Sequence, residues 1–285
     1  MGSPAPPVRG PARRDGTTNI SPPRALTIAG SDSGGGAGIQ ADLKTFFAHG
    51  CFGMSALTAL TAQNTVGVAG IHEVPPEFVV LQIEAVASDI GVDATKTGML
   101  ASSPVVEAVA AAVEVHGLAP LVVDPVFVSK HRDRLLEEDA VAALTERLFP
   151  LATLITPNLH EAGALVGGEI STLGDMKEAA RALLAMGPGA VLVKGGHLPG
   201  ERALDVYLDG DGFIELEGRR FDTEDTHGTG DTLAASIAAR LAWGDELVVA
   251  VRHGKSFVTG AVERSLRLGR GYGPVNQDWR RAPRA

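Results

Sequence analysis

The segment Asp225-Thr226-His227-Gly228-Thr229-Gly230-Asp231-Thr232-Leu233 holds the residue types that handle a transferred anion. Gly228 and Gly230 let backbone come close to a ligand. Leu233, Ile237 and Leu241 recur with helical period, which predicts a helix over Gly230–Ala242. The free N–H groups of a helix start, with the positive end of its dipole, form an anion site. A carboxylate there repels the anion. Asp231 therefore makes chemical sense as the acceptor of a proton from an alcohol attacking a bound phosphoryl group. The competing reading is that Asp231 only complements the helix, and a lone Gly-x-Gly-Asp favours it.

A second glycine cluster shifts that balance. Arg24–Ala29 reads as a buried strand, Gly30-Ser31-Asp32-Ser33-Gly34-Gly35-Gly36 as a turn, and Ala37–His49 as a helix. This places the loop at the carboxyl end of a strand, where open α/β sheets bind ligands. Gly36-Ala37-Gly38-Ile39-Gln40-Ala41 fits a loose dinucleotide fingerprint, but the ribose-binding carboxylate about 20 residues on is missing. After Asp42 the next acidic residue is Glu73, which argues against a nicotinamide-dependent oxidoreductase. No G-x-x-x-x-G-K-[ST] phosphate loop occurs. A non-catalytic ligand sensor is opposed by Asp231 itself.

Further ordered segments accompany these two. They are Ala59–Thr65, Lys96-Thr97-Gly98-Met99-Leu100, Val122-Val123-Asp124-Pro125-Val126, Thr156-Pro157-Asn158-Leu159 with Glu161, Val193–His197 and Gly271–Asn276. The ordered set, over residues 25 to 276, resembles the hydroxymethylpyrimidine/phosphomethylpyrimidine kinases of thiamine biosynthesis, in the ribokinase-like superfamily. The resemblance implies ATP as co-substrate with Mg²⁺, and 4-amino-5-hydroxymethyl-2-methylpyrimidine and its monophosphate as substrates. It implies a catalytic centre of Asp231 with Gly228, Thr229 and Gly230. Gln40, Asp32, Gly30, Met99 and Val126 would line the pyrimidine pocket. Lys194, Asn158, Thr226 and Gly228 would meet ATP, and Asp124 and Glu161 would hold Mg²⁺ through water.

The residues themselves leave alternatives. Asp124 before Pro125 either serves a metal or bonds turn amides. Asn158 and Glu161 also read as a capping pair for a helix over 159–166. Lys194 at a strand end is otherwise a solvated cation, and Met99 is otherwise core filler. The Gln40 amide can donate and accept, as an aminopyrimidine requires.

Three positions depart from the family pattern. Asp231 stands where these enzymes usually carry Cys; aspartate is the usual base of sugar kinases and many pyridoxal kinases, which keeps a pyridoxal or pyridoxine kinase as the rival reading. Ser129-Lys130-His131-Arg132-Asp133 replaces a small glycine-containing flap, and His160 stands where proline is usual.

Composition sets the frame. Across 285 residues, 45% are hydrophobic and the net charge is -9, so the chain can bury a core and lacks a nucleic-acid-binding basic patch. One cysteine, Cys51, excludes an internal disulfide and fits a reducing, cytoplasmic compartment. No apolar run approaches the ~20 residues that span a bilayer. Residues 1–23, rich in Pro, Gly and Arg, read as a disordered extension, and residues 24–285 as one kinase domain. The expected partners are ATP and a small molecule, with a homodimer left open.

Beyond the tail, strand runs at Ala94–Thr97, Leu121–Val123, Thr153–Thr156 and Ala190–Lys194 alternate with helical patterns at Pro76–Asp89, Ser103–His116, Glu137–Leu148 and Leu173–Met186. The alternation predicts a mainly parallel sheet with helices on both faces. Ala203–Tyr207 and Phe213–Phe221, around Asp209-Gly210-Asp211-Gly212, predict an antiparallel hairpin, and Glu246–Leu268 a last helix.

Overall fold

The computed structural model describes residues 21–126, 138–196, 198, 200 and 202–281. The expectations for residues 1–20, for the flap with His131 and Arg132, and for His197 lie outside the described residues.

The chain runs β1 (Arg24–Ala29), α1 (Gly38–Ala48), β2 (Phe52–Leu57), β3 (Ala59–Asn64), β4 (Gly67–Glu73), α2 (Pro76–Asp89), β5 (Ala94–Thr97), α3 (Ser103–His116) and β6 (Leu121–Val123). It continues through α4 (Glu138–Ala143), β7 (Leu154–Ile155), α5 (Leu159–Val166), α6 (Leu173–Leu184), β8 (Val191–Gly195), β9 (Arg202–Asp209), β10 (Gly212–Arg219), α7 (Thr229–Ala242) and α8 (Leu247–Glu263). One sheet has the order β10-β9-β8-β7-β6-β5-β1-β2. It is parallel from β2 to β8, and β9 and β10 add an antiparallel edge. This is the predicted architecture.

The inner strands are apolar on both faces because both are covered. Leu26, Ile28, Leu121, Val123, Val191 and Val193 pack with α2, α3 and α6. Ala25, Ala94, Val122 and Leu192 pack with Phe46 of α1, Leu233 and Ile237 of α7, and Val251 of α8. β1 pairs with β2 on one side and β5 on the other, so the chain reverses direction there. Open α/β sheets bind ligands outside such a switch point.

Several expectations need correction. Over residues 52–73, for which the sequence predicts no element, Phe52–Leu57 is an edge strand, and β3 and β4 form a second antiparallel sheet. The hairpin was not legible because its large apolar side chains face outward: Leu60 is 46% and Ile71 44% exposed. Helical pattern over 137–148 becomes α4, a wider turn of π type over Leu144–Leu148, and a short 3₁₀ turn over Phe149–Leu151. α8 stops at Glu263, not Leu268, because Leu266 donates its N–H to the Pro274 carbonyl (2.8 Å) and leaves the helix. Among the described residues no helix is long and apolar enough to cross a membrane.

At the end of α1, His49 joins this helix to α7. Its Nδ1–H donates to the Thr45 carbonyl (2.9 Å), and its Nε2 accepts from the Ser236 hydroxyl (2.9 Å). Burial pushes the imidazole down to about 4, and the Thr45 carbonyl only partly opposes this. Between that value and the ordinary 6.5, the unfolded chain binds a proton that the folded chain refuses, so stability falls as pH drops through this window. A His49→Gln variant should therefore lose roughly 1–2 kcal/mol less than the parent between pH 7 and pH 5 in urea melts. Equal losses in both proteins would contradict this account.

Candidate active site

Both glycine motifs lie at the carboxyl edge of the sheet and touch. After β1 the chain turns at Gly30, and Asp32 folds its carboxylate under the loop. Oδ1 accepts from Gly34 N–H (2.8 Å); Oδ2 accepts from Gly36 N–H (3.0 Å), Ala37 N–H (2.9 Å) and His227 Nε2 (2.9 Å). Burial would raise this carboxyl, but His227 and the loop amides outweigh it and hold it below the usual range. Asp32 was expected against the substrate. Its oxygens are turned into the loop, where they brace the glycine turn and meet His227. β3 closes the loop's outer side: Ser31 N–H donates to Ala59 O (2.9 Å), and Thr61 Oγ1 donates to Ser31 O (2.8 Å).

Gln40, in the first turn of α1, accepts the Asp32 N–H on Oε1 at 2.8 Å. This bond fixes which end of the amide is which and leaves Nε2 as donor. Met99 lies on Gly30: a Cβ built on Gly30 would come within 2.3 Å of Met99 Cε. Gly30, Gln40 and Met99 thus gather at the β1/β5 switch point. Val126 is half-buried and ends the described segment after β6.

The Gly228 motif docks from the other side. His227 N–H donates to Gly273 O (3.0 Å), and Val275 N–H donates to His227 O (3.0 Å), which anchors the turn to the C-terminal segment. Gly228 begins α7 with φ 77°. A Cβ there would lie 1.8 Å from the Gly36 carbonyl oxygen. The two motifs, far apart in sequence, are in van der Waals contact through glycine backbone. No side chain caps α7, and Asp231 lies in its first turn as expected. Thr229 Oγ1 donates to the Thr226 carbonyl (2.6 Å), which tightens the turn.

Asp231 Oδ1 is 3.1 Å from Lys96 Nζ. Burial pushes the Asp231 carboxyl up, but Lys96 outweighs it, helped by His227 and Lys194, and the group stays below its ordinary value. Asp231 is thus an ionised carboxylate at a helix start.

Next to it, a Cβ on Gly230 would lie 3.2 Å from Asp124 Oδ2 and 3.3 Å from Lys194 Nζ. Lys194 Nζ donates to Asp124 Oδ1 (2.6 Å), which also accepts from Thr156 Oγ1 (2.9 Å). Lys194 is therefore paired, not a solvated strand-end cation. Asn158 and Glu161 form the expected capping box: Glu161 N–H donates to Asn158 Oδ1 (2.9 Å) and Asn158 N–H donates to Glu161 Oε2 (2.7 Å). Burial pushes Glu161 up to about 8, against the pull of Lys194. Among the described residues no group of three or more His, Cys, Asp and Glu can hold a metal. A cage of protein ligands is not present in that part of the chain. The donor set suits Mg²⁺, which keeps its waters and takes one or two carboxylates plus phosphates.

Sequence reasoning missed Lys96, Asp42 and His227. A signal existed for Lys96: Thr-Lys-Thr fills a short strand of a buried parallel sheet, and a lysine there needs a carboxylate partner.

The sequence matches the family model for Phosphomethylpyrimidine kinase over residues 32–276. The chain belongs to that family. A Streptomyces coelicolor hydroxymethylpyrimidine/phosphomethylpyrimidine kinase is 51% identical, over 92% of this chain and 97% of the relative. Among solved structures, the ADP complex of a Bacillus subtilis pyridoxal kinase superposes with TM-score 0.85 and 42% identity, over 90% of this chain and 98% of that one. A Clostridium difficile phosphomethylpyrimidine kinase gives TM-score 0.74 and 42% identity, over 84% and 99%. The ribokinase-like fold expected from the sequence is therefore shown, and so is phosphotransferase membership. The family match begins at Asp32 and ends at Asn276, so it takes in Gly34, Gly35 and Gly36 of the first motif, the whole Gly228 motif and the Lys194 strand. β1, Gly30 and Ser31 precede it.

Proposed function

We propose that the chain transfers the terminal phosphoryl group of ATP to the hydroxymethyl oxygen of 4-amino-5-hydroxymethyl-2-methylpyrimidine, and then to the resulting monophosphate, in thiamine biosynthesis. The observation that carries this reading is the ionised Asp231 carboxylate in the first turn of α7, whose N-terminal Gly228 lies against the Gly36 loop leading into the helix that carries Gln40. Asp231 accepts the hydroxyl proton late in an in-line displacement. A carboxylate is too weak a base to ionise an alcohol beforehand. The N–H groups of Gly228, Gly230 and Asp231 stabilise the oxygens of the group in flight, while the Thr229 N–H donates to the Thr226 carbonyl (3.3 Å) and holds the turn. Lys194 balances polyphosphate charge, with Asn158 and Thr226 beside the nucleotide. Asp124 and Glu161 would hold Mg²⁺ through water, and the ion would neutralise phosphate charge. Gln40, with its amide fixed by Asp32, presents Nε2 to a ring nitrogen, while Gly30, Met99 and Val126 bound the ring.

Gln40→Ala should weaken pyrimidine binding by about 1–3 kcal/mol and leave nucleotide affinity unchanged in titration calorimetry. Loss falling mainly on ATP would exchange the two sites.

Pyridoxine phosphorylation is the second reading, favoured by Asp231 in place of cysteine and by the pyridoxal kinase neighbour. Steady-state assays with the pyrimidine, its monophosphate and pyridoxine decide between them. The pyrimidine should show the higher kcat/KM. Pyridoxine preferred tenfold, about 1.4 kcal/mol in transition-state binding, would make the second reading correct.

A further inference from the structure

Lys96 is fully buried in the middle of β5, and nothing in the mechanism above assigns it a task. Burying an ammonium is costly unless it is paired and hydrogen-bonded. Three elements supply its partners. Asp42 of α1 places Oδ2 at 2.8 Å from Nζ, and Asp231 of α7 places Oδ1 at 3.1 Å. Thr27 of β1, the register partner of Lys96, donates its hydroxyl to the same Asp42 oxygen at 2.6 Å. Gly98 leaves the space for the ammonium: a Cβ there would lie 2.8 Å from Lys96 Nζ and 3.1 Å from Ala29 Cβ.

One partner lies in the dry interior: Asp42, with a side chain 0% exposed, where burial pushes the carboxyl up to about 7 and Lys96 pulls against that. The second contact runs toward the site, where the Asp231 side chain keeps 17% exposure. We propose that Lys96 is a positioning residue for phosphoryl transfer: it anchors the Asp231 carboxylate to the central strand, and Asp42 with Thr27 keeps its ammonium aimed there. This rests on Asp231 being the base. With Oδ1 held by Lys96, Oδ2 takes the proton as the substrate oxygen forms its bond to phosphorus and the ADP oxygen leaves. The Lys96 contacts to Asp42 and to Asp231 Oδ1 can stay in place through this step. Asp124, Lys194 and His227 face the same cluster from the loop after β6, from β8 and from the turn before α7. Burial opposes the Lys96 charge, but Asp42 and Asp231 overrule it and raise the ammonium above its ordinary value.

A multiplicative comparison tests the assignment. The charge-balanced pair Lys96→Met with Asp42→Asn, the single Asp231→Asn and the triple variant are assayed with the pyrimidine and ATP, and each is checked for cooperative melting. The pair should lower kcat about tenfold or more while KM for ATP stays within about threefold. Added to Asp231→Asn, it should lower kcat less than about twofold further, since its effect runs through the missing carboxylate. Lys96→Gln, which keeps a donor toward Oδ1, should recover part of the loss. A folded pair with parental kcat overturns the proposal, as does a full multiplicative loss in the triple. If the pair fails to fold, the same ratios are read on Lys96→Gln alone, where parental kcat or a multiplicative loss again overturns it. An Asp231→Asn enzyme with parental kcat sinks the base reading and this proposal together. An impaired Asp231→Asn with multiplicative losses sinks this proposal alone.

Discussion

Asp231→Asn should lower kcat by about 10²–10⁴ and leave the fold intact. Asparagine has the same shape and still accepts from Lys96, but it takes no proton. Asp231 Oδ1 is 3.1 Å from Lys96 Nζ in the first turn of α7, so the change removes a charge without opening a cavity. KM for ATP should move little, because the carboxylate acts on the acceptor hydroxyl. Were Asp231 only a complement to the helix dipole, the variant would cost about 0.3–1 kcal/mol of stability and leave turnover alone. Single-turnover assays beside thermal melts separate these outcomes, and parental turnover in the variant would end the base assignment.

Gly228→Ala should be nearly as damaging for a different reason. At φ 77° an alanine already costs about 1–2 kcal/mol. Its Cβ would also lie 1.8 Å from the Gly36 carbonyl oxygen and 2.9 Å from its carbon. Those are backbone atoms, so no rotamer change relieves the clash and the two loops must separate. The N–H groups at the start of α7 and the loop leading into α1, which carries Gln40, would then lose their alignment. We expect kcat to fall by about 10² or more and stability by at least about 2 kcal/mol. Gly210→Ala, in the open turn between β9 and β10 with nothing within 4 Å of its Cβ, serves as control and should be nearly silent. A Gly228→Ala enzyme with parental melting and turnover would mean that the loops are not in contact in solution.

Much of this was legible in the residues because the signals are local. Pro76–Asp89 and Ser103–His116 begin and end where the helical pattern placed them, and Leu159–Val166 follows the Asn158–Glu161 capping pair as expected. The Asn158–Glu161 pair is read from a three-residue spacing, and it forms the capping box that this spacing describes. Asp231 was found from Gly-Thr-Gly-Asp ahead of an apolar helix. The misses share a different cause. Leu60 and Ile71 point outward, so β3 and β4 lacked a buried stripe to read. α8 unwinds after Glu263 only because Leu266 finds a partner in Pro274. Asp32 sits beside serines and glycines that suggest a ligand, yet its oxygens are taken by its own loop and by His227, 195 positions away.

The sequence by itself determined the αβ alternation, the two glycine turns at strand and helix ends, and the identity of the carboxylate that follows Gly230. These depend on side-chain period and on backbone freedom within a few residues. Only the tertiary structure decided that Gly36 and Gly228 lie back to back, that Lys194 is tied to Asp124, and that Lys96 stands between Asp42 and Asp231. Each of these joins strands or helices remote in sequence. Which buried charge meets which is settled by strand order and register, where β1 lies between β2 and β5 and α1 and α7 share one face of the sheet. A buried lysine announces that it must have a partner; the packing of the sheet and its helices chooses the partner.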